Sequence, residues 1–147
     1  MPEPTPHTFL GFDFGTRSIG VAVGQSVTGN ASELATLSAK EGIPNWDDIA
    51  TLLNEWRPHR IVVGLPINMD GTEMEMTRRA RKFGNRIAGR FNLPVEFFDE
   101  RLTTREAKHT AAARGHKGNY RNNPVDSIAA RLILEGWMNE RLKTLQS

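Results

Sequence analysis

Three acidic residues in this sequence stand where an acid is either costly or useful: Asp13, Glu100 and Asp126. Asp13 interrupts the apolar run Phe9-Leu10-Gly11-Phe12 just before Phe14. A carboxylate buried there is expensive unless it is paired or bound to a metal. The ordinary alternative is a turn aspartate that bonds the backbone near Gly15. Glu100 follows Val95-Glu96-Phe97-Phe98 in the run Asp99-Glu100-Arg101. Ligands of open α/β sheets gather outside the carboxyl ends of parallel strands. A surface acid paired with Arg101 would contribute little, and Asp99 could take the role instead, because strand alternation lets one of the two face a given side. Asp126 falls third in an expected last helix, where the dipole and the free amides favour an acid without any catalysis. Converging at one sheet edge, three hard oxygen ligands in a chain without cysteine suit Mg²⁺ or Mn²⁺ rather than zinc. Paired ions about 4 Å apart can stabilise both the attacking and the leaving oxygen of a phosphodiester.

The elements that must position these acids follow from hydrophobic period and turn chemistry. Residues 8–15 read as a strand and Thr16-Arg17 as a tight turn. Residues 19–23 continue as a second strand, with Ile19, Val21 and Val23 on one face and Ser18, Gly20, Ala22 and Gly24 on the other. The small-residue face predicts that something packs very close. A third short strand is expected over 32–37, and short connections make the three an antiparallel meander. Asn45 caps a helix through Trp56, ended by Pro58. Arg60-Ile61-Val62-Val63-Gly64-Leu65 is a short apolar strand before an Asp70-Gly71 turn. Thr72 and Glu75 fit a capping box for a helix to about Phe91, and 94–98 is the next strand. Thr103 and Glu106 fit a second box for a helix to about Arg114, followed by a polar loop over 115–122. Asn123 and Pro124 open a last helix to about Leu145. A meander followed by βαβ crossovers implies an α/β fold, a mixed sheet with helices on both faces.

The bulk numbers agree with one domain over 8–147 behind a disordered, Pro-rich tail, residues 1–7. Of the 147 residues, 38% are hydrophobic and 24% charged, an ordinary globular composition. The N-terminus has neither the basic nor the apolar region of a signal peptide, and no apolar run reaches the roughly 20 residues of a spanning helix. The expectation is a cytoplasmic protein with no membrane partner. Net charge is only +2, so the placement of charge says more than its sum.

Four segments carry a resemblance. They are Phe12-Asp13-Phe14-Gly15-Thr16-Arg17, Gly64-Leu65-Pro66 with Asp70-Gly71, Asp99-Glu100-Arg101-Leu102-Thr103-Thr104, and Val125-Asp126-Ser127-Ile128-Ala129-Ala130. In this order and spacing they resemble the YqgF (RuvX) family of RNase H-like proteins, over about 9–137. The resemblance implies an RNase H-like fold with a five-stranded mixed sheet flanked by helices. It implies a metal-dependent nuclease acting on structured nucleic acid: 5′-end processing of the small-subunit ribosomal RNA precursor, or Holliday-junction resolution. It also places the family's acids on Asp13, Glu100 and Asp126, with Mg²⁺ or Mn²⁺ as cofactor. Relatives often carry lysines before the Val-Asp pair, where this chain has Arg121-Asn122-Asn123-Pro124, so phosphate contact there falls to Arg121 or Lys117.

A second feature is charge. Met76, Ala80, Phe83, Ile87 and Phe91 form one apolar stripe, and Arg78, Lys82, Arg86 and Arg90 recur every four residues beside it. Like charges at this spacing cost a few tenths of a kcal/mol per pair, which a phosphate track would offset and a merely solvated face would not. Arg17 and Arg101 join them as candidate nucleic-acid contacts. His7, His59, His109 and His116 show no ligand spacing. A catalytically weak RNA- or DNA-binding factor competes with the nuclease, but it has no need of three carboxylates repelling its phosphates. An ATPase of the actin and sugar-kinase superfamily shares the Asp13-Phe14-Gly15-Thr16 pattern but needs two such domains. Structured RNA and branched DNA remain open as substrates, as do monomer and homodimer.

Overall fold

The structure, a computed structural model, describes residues 7–102 and 125–146. Six strands form one sheet in the order β4-β3-β2-β1-β5-β6. The strands are β1 (Thr8–Asp13), β2 (Ser18–Gln25), β3 (Asn30–Lys40), β4 (Ile43–Pro44), β5 (Arg60–Leu65) and β6 (Val95–Asp99). The first four are antiparallel neighbours, whereas β5 runs parallel to both β1 and β6. The meander-then-crossover reading therefore holds, with six strands where five were expected. The extra strand, β4, is two residues long and turns back on β3 through Glu41 and Gly42, both at positive φ. A pair of residues shows no alternation, and its proline can donate nothing to a ladder, so the sequence carries no strand signal there.

Helices cover both faces. α1 (Trp46–Trp56) begins at Asn45, whose side chain accepts the Asp47 amide at 2.9 Å, and ends on Arg57 in the left-handed region. α2 (Glu75–Phe91) starts two residues later than the Thr72–Glu75 capping pattern implies, with Met74 and not Thr72 at its N-cap. Thr72 is instead held by Asp70, which accepts both its amide (2.9 Å) and its hydroxyl (2.6 Å). The reciprocal bond belongs to Thr77, whose hydroxyl accepts the Met74 amide at 3.1 Å and donates to the Pro66 carbonyl. The expected helix after Thr103, the 115–122 loop and the Asn123-Pro124 cap lie outside the described residues. The last helix, α3, spans Val125–Gln146. Among the described residues, no helix is long and apolar enough to cross a membrane.

Strand alternation divides the core in two. Leu10, Phe12, Ile61, Val63 and Leu65 face Ile49 of α1 and Ala80, Phe83 and Ile87 of α2. Phe9, Ala22, Val62 and Phe98 face Ala130, Ile133, Leu134, Trp137 and Met138 of α3. Each fully buried aliphatic or aromatic side chain contributes about 1.5–3 kcal/mol. The small face of β2 serves α3: a Cβ on Gly24 would stand 2.9 Å from Leu134 Cδ2 and from Met138 Cε. One on Gly11 would stand 3.0 Å from Leu134 Cβ and 3.3 Å from the Ala130 carbonyl oxygen. The two glycines let the helix lie directly on the sheet.

Candidate nuclease site at the carboxyl edge of the sheet

β1, β5 and β6 are parallel, so their carboxyl ends share one edge. Asp13 closes β1, half-buried, two residues after Gly11 and therefore on the face that α3 covers. The register Gly11↔Val62, Phe12↔Val63 carries Asp13 to the level of Gly64 on β5. Gly64 pairs in turn with Phe98, and Glu100 begins a short 3₁₀ turn (Glu100–Leu102) two residues further on. A Cβ on Gly64 would stand 2.9 Å from Glu100 Cγ and 3.2 Å from its carboxyl carbon, and it would also collide with Ile133 of α3. The Glu100 side chain thus leaves β6 and lies over Gly64, toward Asp13. With β5 between them, the β1 and β6 backbones stand about 9–10 Å apart, and the missing side chain on β5 leaves the Glu100 carboxyl room on the sheet face that carries Asp13. A glycine inside a strand is the sequence sign of such a close approach.

Asp99 takes the other side. Arg101 grips its carboxylate through Nε (2.8 and 3.1 Å) and Nη2 (2.6 Å), and its amide donates to Asp99 Oδ1 at 2.9 Å. The guanidinium holds the Asp99 carboxyl below its ordinary range. The surface acid that pairs with Arg101 is therefore Asp99, and Glu100 is the one on the Asp13 face. Arg101 also reaches the carbonyl oxygens of Asn68 and Met69, at 3.5 and 3.4 Å.

α3 runs antiparallel to β1. Met138 and Leu134 lie over Gly24, which pairs with Phe9, and Leu134 and Ala130 lie over Gly11. Four helical residues advance about 6 Å, close to the rise of two strand residues. The backbone position of Asp126, one turn before Ala130, therefore comes to the level of Asp13. The Asp126 side chain lies outside the described residues. Its neighbour Ser127, which sequence reasoning missed as an anchor, is buried and donates from Oγ to the Leu34 carbonyl at 2.8 Å. That bond fixes the start of α3 against β3. Among the described residues, no group of three His, Asp or Glu side chains is placed to hold a metal ion; Asp13 and Glu100 supply two carboxylates.

The cationic candidates are spread more widely. Arg17 is exposed in the turn beside Asp13, and its carbonyl accepts the Ala39 amide at 2.8 Å. α2 lies on the opposite face of the sheet from Asp13 and Glu100. Its amino end follows the carboxyl edge, and Arg90 stands about 18 Å further along the helix than Arg78. Arg78 pairs with Glu75 at 2.7 Å, Arg81 with Glu73 at 2.9 Å, and Arg90 lies 4.3 Å over the Trp46 ring. Lys82 and Arg86 are exposed, with no acid in salt-bridge range among the described residues. Lys117 and Arg121 lie outside the described residues. His7 and His59 meet at the far end of β1, ring centroids 4.5 Å apart, away from both carboxylates.

Comparison with known proteins gives a consistent picture. The RuvX family, described as Holliday junction resolvase, matches residues 7–140. A protein of Saccharophagus degradans named as a candidate pre-16S rRNA nuclease is 66% identical over 140 residues, covering 95% of this chain and 99% of that one. One of Chromohalobacter salexigens with the same name is 61% identical over 137 residues, covering 93% of each. Among solved structures, T. thermophilus RuvC in complex with a Holliday junction substrate superposes with a TM-score of 0.56 at 16% identity, covering 94% of this chain and 97% of that one. The yeast mitochondrial Holliday junction resolvase Ydc2 gives 0.54 at 13%, covering 94% and 80%. At such identities the structures establish the shared RNase H-like fold.

Proposed function

This chain belongs to the RuvX family, and from that premise we propose that it is a cytoplasmic hydrolase cutting phosphodiester bonds in the small-subunit ribosomal RNA precursor, with Asp13, Glu100 and Asp126 as its catalytic acids. The observation that carries the reading is the cradle at Gly64, which brings the Glu100 carboxyl over β5 onto the face of Asp13. The RNA assignment is supported by the names of relatives that match this chain over nearly their whole length.

The residues fit a divalent ion. The donors are hard oxygens, the chain has no cysteine, and the cradle is a space that a single Cβ would fill. Asp13 and Glu100, with Asp126 from α3, would hold Mg²⁺ or Mn²⁺, which supplies Lewis acidity to the phosphoryl oxygens. The chain's own contribution is positioning. Asp13 ends a strand hydrogen-bonded on both sides, so its carboxylate is held by the rigid middle of the sheet. Glu100 is held by the Gly64 cradle and by the clamp of Arg101 on Asp99 next to it. In a pure binding protein, carboxylates sharing one edge would only repel phosphate. Arg17 beside Asp13, Lys82 and Arg86 on α2, and Arg78, Arg90, Arg101, Lys117 and Arg121 supply the phosphate contacts in this reading.

A second reading, cleavage of branched DNA, is favoured by the description of the family itself. The test is purified protein with Mg²⁺ or Mn²⁺ on labelled ribosomal RNA precursor and on a four-way DNA junction in parallel. Defined cleavage of the precursor, faster than of the junction, supports the first reading. Cleavage of the junction alone selects the second, and no cleavage of either overturns the nuclease.

A further inference from the structure

The loop between β5 and α2 is built more tightly than a connection needs. Ile67 and Glu73 form an antiparallel bridge. Inside it the Asn68 amide donates to the Thr72 carbonyl (3.0 Å), the Gly71 amide to the Asn68 carbonyl (2.8 Å), and Asn68 Nδ2 to Thr72 Oγ1 (3.1 Å). Asp70 holds Thr72, Arg81 holds Glu73 at the base, and Arg101 reaches in from the 3₁₀ turn to the Asn68 and Met69 carbonyls. The product is a miniature hairpin with Met69 at its tip, 86% exposed, the most exposed of the large hydrophobic residues described.

A single exposed apolar side chain is ordinary on a protein surface. What sets Met69 apart is that its backbone is fixed by so many bonds and that its place is the carboxyl edge. The residue that reaches its carbonyl, Arg101, is the immediate neighbour of Glu100. The charge around it is mixed: Asp70 and Glu73 lie in the hairpin itself, Arg101 is paired with Asp99, and Arg78 and Arg79 at the start of α2 are paired with Glu75. The local chemistry is a fixed, apolar, polarisable tip at the edge where the strands that carry Asp13 and Glu100 end. In nucleic acid the matching group is the base, since apolar side chains, Met included, insert against or between bases.

We propose that Met69 stacks against a nucleobase of the substrate and thereby sets which phosphate lies before Asp13 and Glu100. Arg101 acts as a positioning residue, holding the hairpin that carries Met69. A thioether reads no hydrogen-bonding edge, so the contact selects an unstacked or easily unstacked base rather than a sequence. The inference rests on the nuclease reading for its substrate class.

The test uses full-length protein in EDTA, where binding is measured without cutting. The probes are RNA hairpins with a single-stranded 5′ extension, carrying 2-aminopurine at one position at a time. The expected result is a fluorescence change confined to one or two positions. Met69→Ala should lose it and bind about tenfold more weakly, Met69→Phe should restore it, and melting temperature should stay constant because the side chain is exposed. An equal signal and affinity in Met69→Ala, or no position-specific signal when the parent binds, overturns the stacking contact alone. Failure of the parent to bind any probe overturns the stacking contact and leaves the nuclease reading to the cleavage test.

Discussion

Replacing Gly64 by alanine tests the geometry that unites the two carboxylates. The new Cβ would meet Glu100 Cγ at 2.9 Å and Cδ at 3.2 Å, and Ile133 Cδ1 closer still. Contacts this short force neighbours to move. Overpacking of this kind costs about 1–3 kcal/mol, or roughly 3–9 °C of melting temperature for a domain of this size. Two neighbours can yield, with different consequences. Ile133 can be relieved by Ile133→Val, which removes the colliding Cδ1 at a cost of about 0.5–1.5 kcal/mol when made alone. Glu100 must move off Gly64, and if it is the catalytic group proposed above, a misplacement near 1 Å costs about a hundredfold in rate. Gly64→Ala is therefore expected to lower both melting temperature and single-turnover cleavage. In the double variant with Ile133→Val, the stability losses should fall short of their sum because the two changes share one clash, while cleavage stays about a hundredfold down. Full cleavage by Gly64→Ala would refute the argument, because Glu100 could not then depend on the cradle. Recovery of cleavage in the double variant would show that Ile133, and not Glu100, carried the defect.

Other consequences follow from the same geometry. Glu100→Gln should reduce cleavage by orders of magnitude more than Asp99→Asn, since Glu100 shares the Asp13 face and Asp99 is taken by Arg101; the opposite ranking in a rate assay would reverse the assignment. Because Arg101 lowers the Asp99 carboxyl, the pair's contribution is fully present above the unfolded carboxylate value of about 4 and is lost as pH falls through the lower folded value. The Arg101 side-chain NMR signals should accordingly stay unchanged from pH 7 to 5 and move only in stronger acid; a transition above pH 5 would contradict the pairing. Lys82→Ala with Arg86→Ala should weaken binding to every nucleic acid tested and reduce the salt slope by about one to two units, with little change in turnover at saturation. An unchanged slope would move the phosphate contacts off α2.

How far the sequence reveals this arrangement depends on how local each signal is. Arg60–Leu65 is an apolar run bounded by Pro58 and a turn, and it is the observed β5, residue for residue. The small side chains of β2 announced a close neighbour, and α3 is that neighbour. The start of α2 was misplaced because two local patterns competed for Thr72, and the Asp70 side chain won. The choice between Asp99 and Glu100 could not be made from alternation alone, because it needs the pairing of β6 with β5, a contact between distant residues. The role of Gly64 was hidden for the same reason. The basic row of α2 was visible as spacing, but its division was not: Glu75 and Trp46 engage Arg78 and Arg90, and Lys82 and Arg86 stay exposed.

The central claim is that Asp13 and Glu100 form one catalytic unit at the carboxyl edge. Its most direct test is single-turnover cleavage of 5′-labelled ribosomal RNA precursor in Mn²⁺ by the parent, Asp13→Asn, Glu100→Gln and the double variant, with melting temperature and RNA affinity measured for each. Groups that act as a unit are grossly non-additive. The account predicts that either single change abolishes cleavage almost as completely as both together. Cleavage by Asp13→Asn at the parent rate would contradict it.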